Sequence, residues 1–191
     1  MEGGHGERID PSDVIRTISG VNAVAGRGAR DGSLAFDVRG GKAPLLTIFG
    51  GDITTSRRRA ERAVARLTPF YPMSPRWTAH QALPGGDFAS ARFDAEVDLA
   101  RERWRFLSES EARRLVAAYG TRIEAVLGEA KTRAELGPAF GAELTGAEVR
   151  YLMANEWARF PDDILWRRSK LGLTMPPQGR EALTAFMAKA S

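Results

Sequence analysis

The sequence predicts an α+β protein. A partial α/β remnant of two or three strands and one helix occupies residues 1–86, and an all-α helical C-terminal domain occupies residues 87–191. Three observations predict this. Before residue 87, short apolar runs alternate with glycine clusters, the rhythm of strands and tight turns. After it, apolar residues recur at helical spacing between capping boxes and glycine stops. Apolar residues make up 43% and charged residues 27% of the 191, enough to bury a core and too balanced for disorder.

The elements follow in order. Asp10-Pro11-Ser12-Asp13 opens a short helical turn, with a cap, a proline at the first helical position and an early acid. Thr17–Val21 could enter a strand. Residues 24–32 hold three glycines and form a loop. Ser33–Val38 alternates and reads as a strand. Gly40-Gly41 turns the chain into Leu45–Phe49, a nearly continuous apolar run expected to be buried on both faces. Gly50-Gly51 follows, with Thr54 or Thr55 as helix cap. The helix Ser56–Leu67 sets Ala60, Ala63, Val64 and Leu67 on one face. Residues 68–86, with four prolines, form an irregular connector ending in Leu83-Pro84-Gly85-Gly86.

The helical half is better punctuated. A first helix spans Phe93–Trp104. Ser108–Glu111 is a capping box, with Ala112, Leu115, Val116 and Tyr119 inward and Gly120 as the stop. Ile123, Val126 and Leu127 make a short helix closed by Gly128. Thr145–Glu148 reads as a second capping box, leading Val149, Leu152, Met153 and Trp157 on one face. Pro161-Asp162-Asp163 starts another helix, with Arg167, Arg168 and Lys170 at its negative end and Gly172 after it. Pro176-Pro177 introduces a last helix with Leu183, Phe186 and Met187 inward. Two or three strands and one helix bury little, so the first half reads as the end of a larger α/β domain.

Composition narrows the chemistry. With no cysteine, disulfides, thiolate catalysis and cysteine-ligated metals are excluded. The two histidines, His5 and His80, lie far apart, so a histidine metal site or a Ser–His–Asp triad has little support. No apolar run reaches the roughly 20 residues of a membrane helix, and the first residues lack a signal-peptide core. A net charge of +4 permits an anionic partner without demanding nucleic acid. The basic runs Arg57-Arg58-Arg59 with Arg62 and Arg66, and Trp166–Lys170, read as solvated or dipole-paired helix faces. Trp77, Trp104, Trp157 and Trp166 read as core anchors rather than a stacking platform. The strongest local feature is Leu45–Thr55, a strand running through two glycines into a helix. Such a junction lets a ligand approach the backbone and offers free N–H groups to an anionic or electron-rich group, as flavin and phosphate sites do, though an ordinary strand–turn–helix also looks this way.

The chain resembles the C-terminal part of bacterial FAD-dependent (aerobic, respiratory) glycerol-3-phosphate dehydrogenases over residues 8–188. The resemblance rests on Asp13-Val14 and Ser19-Gly20-Val21, Arg30-Asp31, Lys42–Gly51 with Ile53–Thr55 and Arg57, Trp77, and Leu83–Gly86. Further on it rests on Tyr119-Gly120, Val126–Gly128, Leu136-Gly137 and Phe140-Gly141. The most specific blocks are Ala147–Leu152, Glu156-Trp157 and Asp162–Gly172. It implies an N-terminal FAD domain as partner, or a homo-oligomer, with glycerol 3-phosphate as substrate and dihydroxyacetone phosphate as product. Hydride passes to FAD and electrons go on to membrane quinone, so the implied location is cytoplasmic, peripheral at the inner membrane. No nucleic-acid partner is implied. Phe49, Gly50, Gly51, Asp52, Ile53, Thr54 and Thr55 would contact the cofactor, Arg30 would bind substrate, and residues 87–191 would carry no catalytic group. Three positions depart from the family pattern. Asn22 stands where an arginine is usual, Asp52 where a lysine is usual, and Ser56 where a tyrosine is usual. The chain carries no G-x-G-x-x-G, so it is expected to be inactive without an FAD domain; the alternative is a non-catalytic helical interaction module derived from that enzyme.

Overall fold

The structure is a computed structural model that describes residues 10–21, 32–40 and 42–190. The protein is α+β, and it separates into two compact units, Met1–Gln81 and Ala82–Ser191.

The first unit starts with a 3-10 turn, Pro11–Asp13, where the Asp10 amide donates to Asp13 Oδ2 at 2.8 Å. Among the described residues, Thr17–Val21 pairs with no strand, contrary to the sequence expectation. Strands β1 (Ser33–Asp37) and β2 (Leu45–Phe49) form an antiparallel hairpin, with Ser33 opposite Phe49 and Asp37 opposite Leu45. In β1, Leu34 and Phe36 turn inward while Ser33, Ala35 and Asp37 face solvent, the period of two that the sequence showed. Phe36 meets Phe70 at 5.7 Å between ring centroids. Strand β2 is not buried on both faces: Leu45 is 62% exposed, and Ile48 and Phe49 are each 50% exposed. A two-stranded ribbon has no second layer to cover its other side, so the apolar run marked the strand but not its surroundings.

Helix α1 (Ser56–Leu67) buries only Ala63; Val64 and Ala60 stay exposed, so the expected apolar stripe is largely uncovered. The connector after α1 is tied back to it. Thr78 Oγ1 donates to Glu61 Oε1 at 2.5 Å, and Arg57 Nη1 reaches the same oxygen at 3.1 Å. These bonds, Thr78's first, hold the Glu61 carboxyl below its ordinary range. Among the described residues of this unit, Ala63 is the only buried apolar side chain.

The second unit holds the core. Helices α2 (Phe93–Arg103), α3 (Glu109–Tyr119) and α4 (Ile123–Leu127) are followed by a small hairpin, β3 (Ala139–Gly141) and β4 (Leu144–Thr145). Then come α5 (Gly146–Asn155), a π-helical segment Asp163–Arg168, and α6 (Pro177–Ala190). Leu136, Leu144, Leu152, Ile164, Leu165 and Leu183 are almost fully buried together. Backbones pack closely where glycine permits. Gly120, with φ +55°, lies against the Gly85 carbonyl, and Gly179 lets α6 rest on the Phe140 carbonyl of β3; a Cβ at either would collide.

The Ser108 box forms as the sequence predicts. Ser108 Oγ accepts from the Glu111 amide at 3.2 Å, and the Ser108 amide donates to Glu111 Oε2 at 3.1 Å. The Thr145 box does not form, because Glu148 is drawn into the interior. There it takes Arg114 through both oxygens, at 2.8 and 2.9 Å, and accepts from the Tyr119 hydroxyl at 2.7 Å. Burial would lower the Arg114 guanidinium, but the bond and charge of Glu148 outweigh it and hold the group above its ordinary value. Burial, and then the Glu148 charge, push the Tyr119 phenol far up.

Two acids with little exposure, Glu111 and Asp163, give this unit its pH dependence. Burial would raise the Glu111 carboxyl, but Arg133 and the Ser108 amide outweigh it and hold it low. Asp163 is held low by the Arg159 amide, which overcomes partial burial, with help from the Phe160 amide and Arg167. A carboxylate depressed in the folded state contributes stability above its unfolded pKa, near 4, and loses that contribution as pH falls through the folded value. The urea midpoint is therefore expected to fall between about pH 5 and about pH 2. Glu111→Gln should start lower and fall less steeply; an unchanged slope would show that Glu111 contributes nothing.

Candidate functional site

Strand β2 delivers its chain into two glycines that both adopt positive φ, +60° at Gly50 and +99° at Gly51. Residues with a side chain rarely take these conformations, which favours glycine here. Gly32, at φ +68°, lies beside them. A Cβ on Gly32 would strike the carbonyl oxygens of Phe49 and Gly50, so two backbones meet with no side chain between them. Sequence reasoning missed Gly32; its signal was a glycine at the start of β1, opposite the end of β2.

Asp52 is extended (φ −77°, ψ 154°) and its carboxylate makes no capping bond. The 3-10 turn Ile53–Thr55 then leads into α1. Thr55 stands at the cap position but does not cap. Its hydroxyl points back to the Asp52 carbonyl at 3.1 Å, with Arg59 Nη1 at 3.5 Å from the same hydroxyl. The first amides of α1 therefore receive no side-chain cap, and a helix start of this kind attracts an anionic or electron-rich group. Phe49 and Ile53 flank the junction as exposed apolar side chains. Phe49, Gly50, Gly51, Asp52, Ile53, Thr54 and Thr55 thus run as one stretch from the end of β2 through the 3-10 turn to the start of α1. Arg30 and Asn22 lie outside the described residues, as does His5.

The basic runs separate. Arg57 pairs with Glu61 and reaches Thr78 at 3.3 Å, while Arg62, Arg66 and Arg76 line an open cavity of about 230 Å³ over Leu34 and Ala65. Near the other run, Arg167 pairs with Asp163 at 2.7 Å, Arg168 donates twice to the Glu156 carbonyl, and Lys170 Nζ donates to the Trp166 carbonyl at 2.7 Å. The cations close a helix end, as dipole pairing predicts. The tryptophans also separate. Trp104 and Trp166 are core residues at 2% and 8% exposure, whereas Trp77 and Trp157 are 58% and 79% exposed, which corrects the expectation that all four anchor a core. Among the described residues, no helix is long and apolar enough to cross a membrane.

Residues 76–190 match the family model described as the C-terminal domain of alpha-glycerophosphate oxidase. The aerobic glycerol-3-phosphate dehydrogenase of Escherichia coli (strain K12) is 41% identical, in an alignment that takes in 96% of this chain and 38% of that protein. The glycerol-3-phosphate dehydrogenase of Pseudomonas tolaasii is 36% identical over 96% of this chain and 37% of its own length. The D-erythritol 1-phosphate dehydrogenase of Brucella abortus (strain 2308) is 36% identical over 97% and 38%. The chain spans less than two fifths of the length of these curated relatives. With more than half of its residues inside the family model, and its likeness to the dehydrogenases running along nearly its whole length, the chain belongs to the family of alpha-glycerophosphate oxidase C-terminal domains.

Proposed function

We propose that this chain is the C-terminal part of an FAD-dependent dehydrogenase of glycerol 3-phosphate or a related polyol phosphate, and that it turns over only together with an FAD-binding domain. The observation that carries the reading is the glycine junction. Gly32, Gly50 and Gly51 keep Cβ atoms out of one spot, and the uncapped start of α1 adjoins it. A flat, electron-rich ring edge fits such a place. The amides from Gly50 to Thr55 would face the pyrimidine end of the flavin. Arg30, two residues before Gly32 in sequence, would bind the substrate phosphate. FAD held there would supply a hydride acceptor for the C2 hydrogen of glycerol 3-phosphate, with the C2 hydroxyl proton passing to solvent water, which gives dihydroxyacetone phosphate. The electrons would pass on to quinone at the cytoplasmic face of a membrane.

Titrating the chain with FAD by flavin fluorescence tests this, with and without the region of the Escherichia coli relative that the alignment leaves uncovered. Saturable binding only in the combined sample, with glycerol 3-phosphate reducing a dye, is the expected result. No binding in either arm would sink the reading. It would favour a non-catalytic helical interaction module, whose support is the closed core of residues 82–191.

Asp52 gives the same experiment a second arm. Two unit charges at about 4 Å interact by roughly 4 kcal/mol at an effective dielectric near 20. Asp52 is only half-buried, so solvent screens much of this. Asp52→Lys is expected to lower KM for glycerol 3-phosphate by roughly ten- to a hundredfold, or about 1–3 kcal/mol. An unchanged KM would place Asp52 away from the substrate phosphate.

A further inference from the structure

Three arginines from two parts of the first unit meet over an apolar floor. Arg62 and Arg66 stand one turn apart on α1, and Arg76 comes from the connector after it. With Leu34 of β1 and Ala65 they line the open cavity of about 230 Å³, and no carboxylate lines it. The nearby acid is Glu61, whose Oε1 accepts from the Thr78 hydroxyl at 2.5 Å and from Arg57 Nη1 at 3.1 Å. The charge of Arg76 also reaches it. Counting Glu61 and Arg57 with the lining residues leaves four cations against one anion. Asp37 of β1 lies on the other face of its strand from Leu34 and pairs with Arg39 at 2.8 Å.

Pairing with the helix dipole accounts for Arg66, in the last turn of α1. It does not account for Arg62 in the middle of the helix, or for Arg76 outside it. Like charges one turn apart repel and cost helix stability, and a third guanidinium beside them adds to that cost. The Thr78–Glu61 bond fastens the connector two residues from Arg76 and keeps this third cation near α1. An anion seated between the three would turn the repulsion into attraction.

We propose that this cavity is a phosphate site, which takes a doubly charged phosphate group, free or on the headgroup of a lipid. Guanidinium forks match phosphate oxygens, and arginines from two elements can hold one group from two sides. Leu34 and Ala65 offer an apolar floor to a few carbons beside the phosphate, and the cavity is too small for a nucleotide. The proposal does not rest on the flavin reading, since none of these residues belongs to the glycine junction.

Calorimetry on the full chain at low salt tests it. One probe is inorganic phosphate; the other is phosphatidylcholine vesicles with and without phosphatidic acid. Saturable binding of inorganic phosphate would assign a free phosphate, and binding only of the phosphatidic acid vesicles a lipid headgroup. Arg66→Gln and Arg76→Gln are each expected to weaken binding about fivefold or more. Both side chains are exposed, so the melting temperature should not change. Arg66→Lys keeps the charge but loses the fork, and should fall between wild type and Arg66→Gln. Arg58→Gln, on the same helix but outside the cavity, should stay within about twofold of wild type. Affinity should rise from about pH 5.5 to about pH 7.5, as phosphate gains its second charge while the guanidiniums keep theirs. No saturable binding of either probe overturns the proposal. An equal loss in Arg58→Gln also overturns it, giving the anion to the general field of α1. Retention of duplex DNA without saturable phosphate binding would hand the arginines to nucleic acid and overturn it as well.

Discussion

Replacing Arg114 with alanine is expected to cost the helical unit about 3–5 kcal/mol, a substantial share of the roughly 5–15 kcal/mol that holds a domain of this size together. The reason lies in what is left behind. The Glu148 side chain is only 2% exposed, and Arg114 meets both of its oxygens at 2.8 and 2.9 Å. Arg114 also donates to the Glu143 carbonyl at 3.2 Å, pinning the turn between β3 and β4, where Ala142 and Glu143 both have positive φ. Without the guanidinium, Glu148 keeps only the Tyr119 hydroxyl and stays away from water. Arg114→Lys should recover less than half of the loss, because an ammonium cannot take both oxygens in one plane. The double variant Arg114→Met, Glu148→Leu should recover most of it, since a buried pair exchanged for apolar groups of similar volume is often close to neutral. Urea unfolding of the four proteins checks this. A loss below about 1 kcal/mol for Arg114→Ala would mean that water reaches Glu148 and the pair contributes little.

Glu148 also marks where the sequence stops being informative. Thr145 and Glu148 have the spacing of a capping box, as do Ser108 and Glu111, and only the second pair forms one. The difference is Arg114, 34 positions before Glu148, and no local pattern encodes that meeting. Signals that act within four residues were legible: the Ser108 box, the glycine stops at Gly120 and Gly128, the alternation of β1. Signals that depend on what packs against an element were not. The run Leu45–Phe49 announced a strand, yet its exposure depends on layers that a two-stranded hairpin does not have. At the junction, the glycine pair and the helix after it were legible, because strand, turn and cap chemistry are local. Gly32 was not, because its role comes from lying across the hairpin from Phe49 and Gly50.

The tryptophans turn the same lesson into a measurement. Trp104 is expected to be the costliest of the four to remove, about 3–5 kcal/mol for Trp104→Ala. It ends α2 at 2% exposure, and its indole N–H donates to the Gly128 carbonyl at 3.1 Å. One side chain therefore joins the end of α2 to the end of α4. The Arg103 guanidinium lies 4.7 Å from its ring centroid, held there by Glu124 and Glu129. Alanine would remove this wall beside Val116 and Ile123, and it would leave the Gly128 carbonyl without the indole. Trp104→Phe keeps the ring volume in part and loses only the hydrogen bond, so its cost should be nearer 1–2 kcal/mol, roughly that of one unmade bond plus a small void. The gap between the two variants measures packing against hydrogen bonding at a single site. Trp157→Ala is the contrast, because its ring contributes almost nothing to the core. Equal destabilisation by Trp104→Ala and Trp157→Ala would mean that the end of α5 is packed more tightly than its exposure indicates.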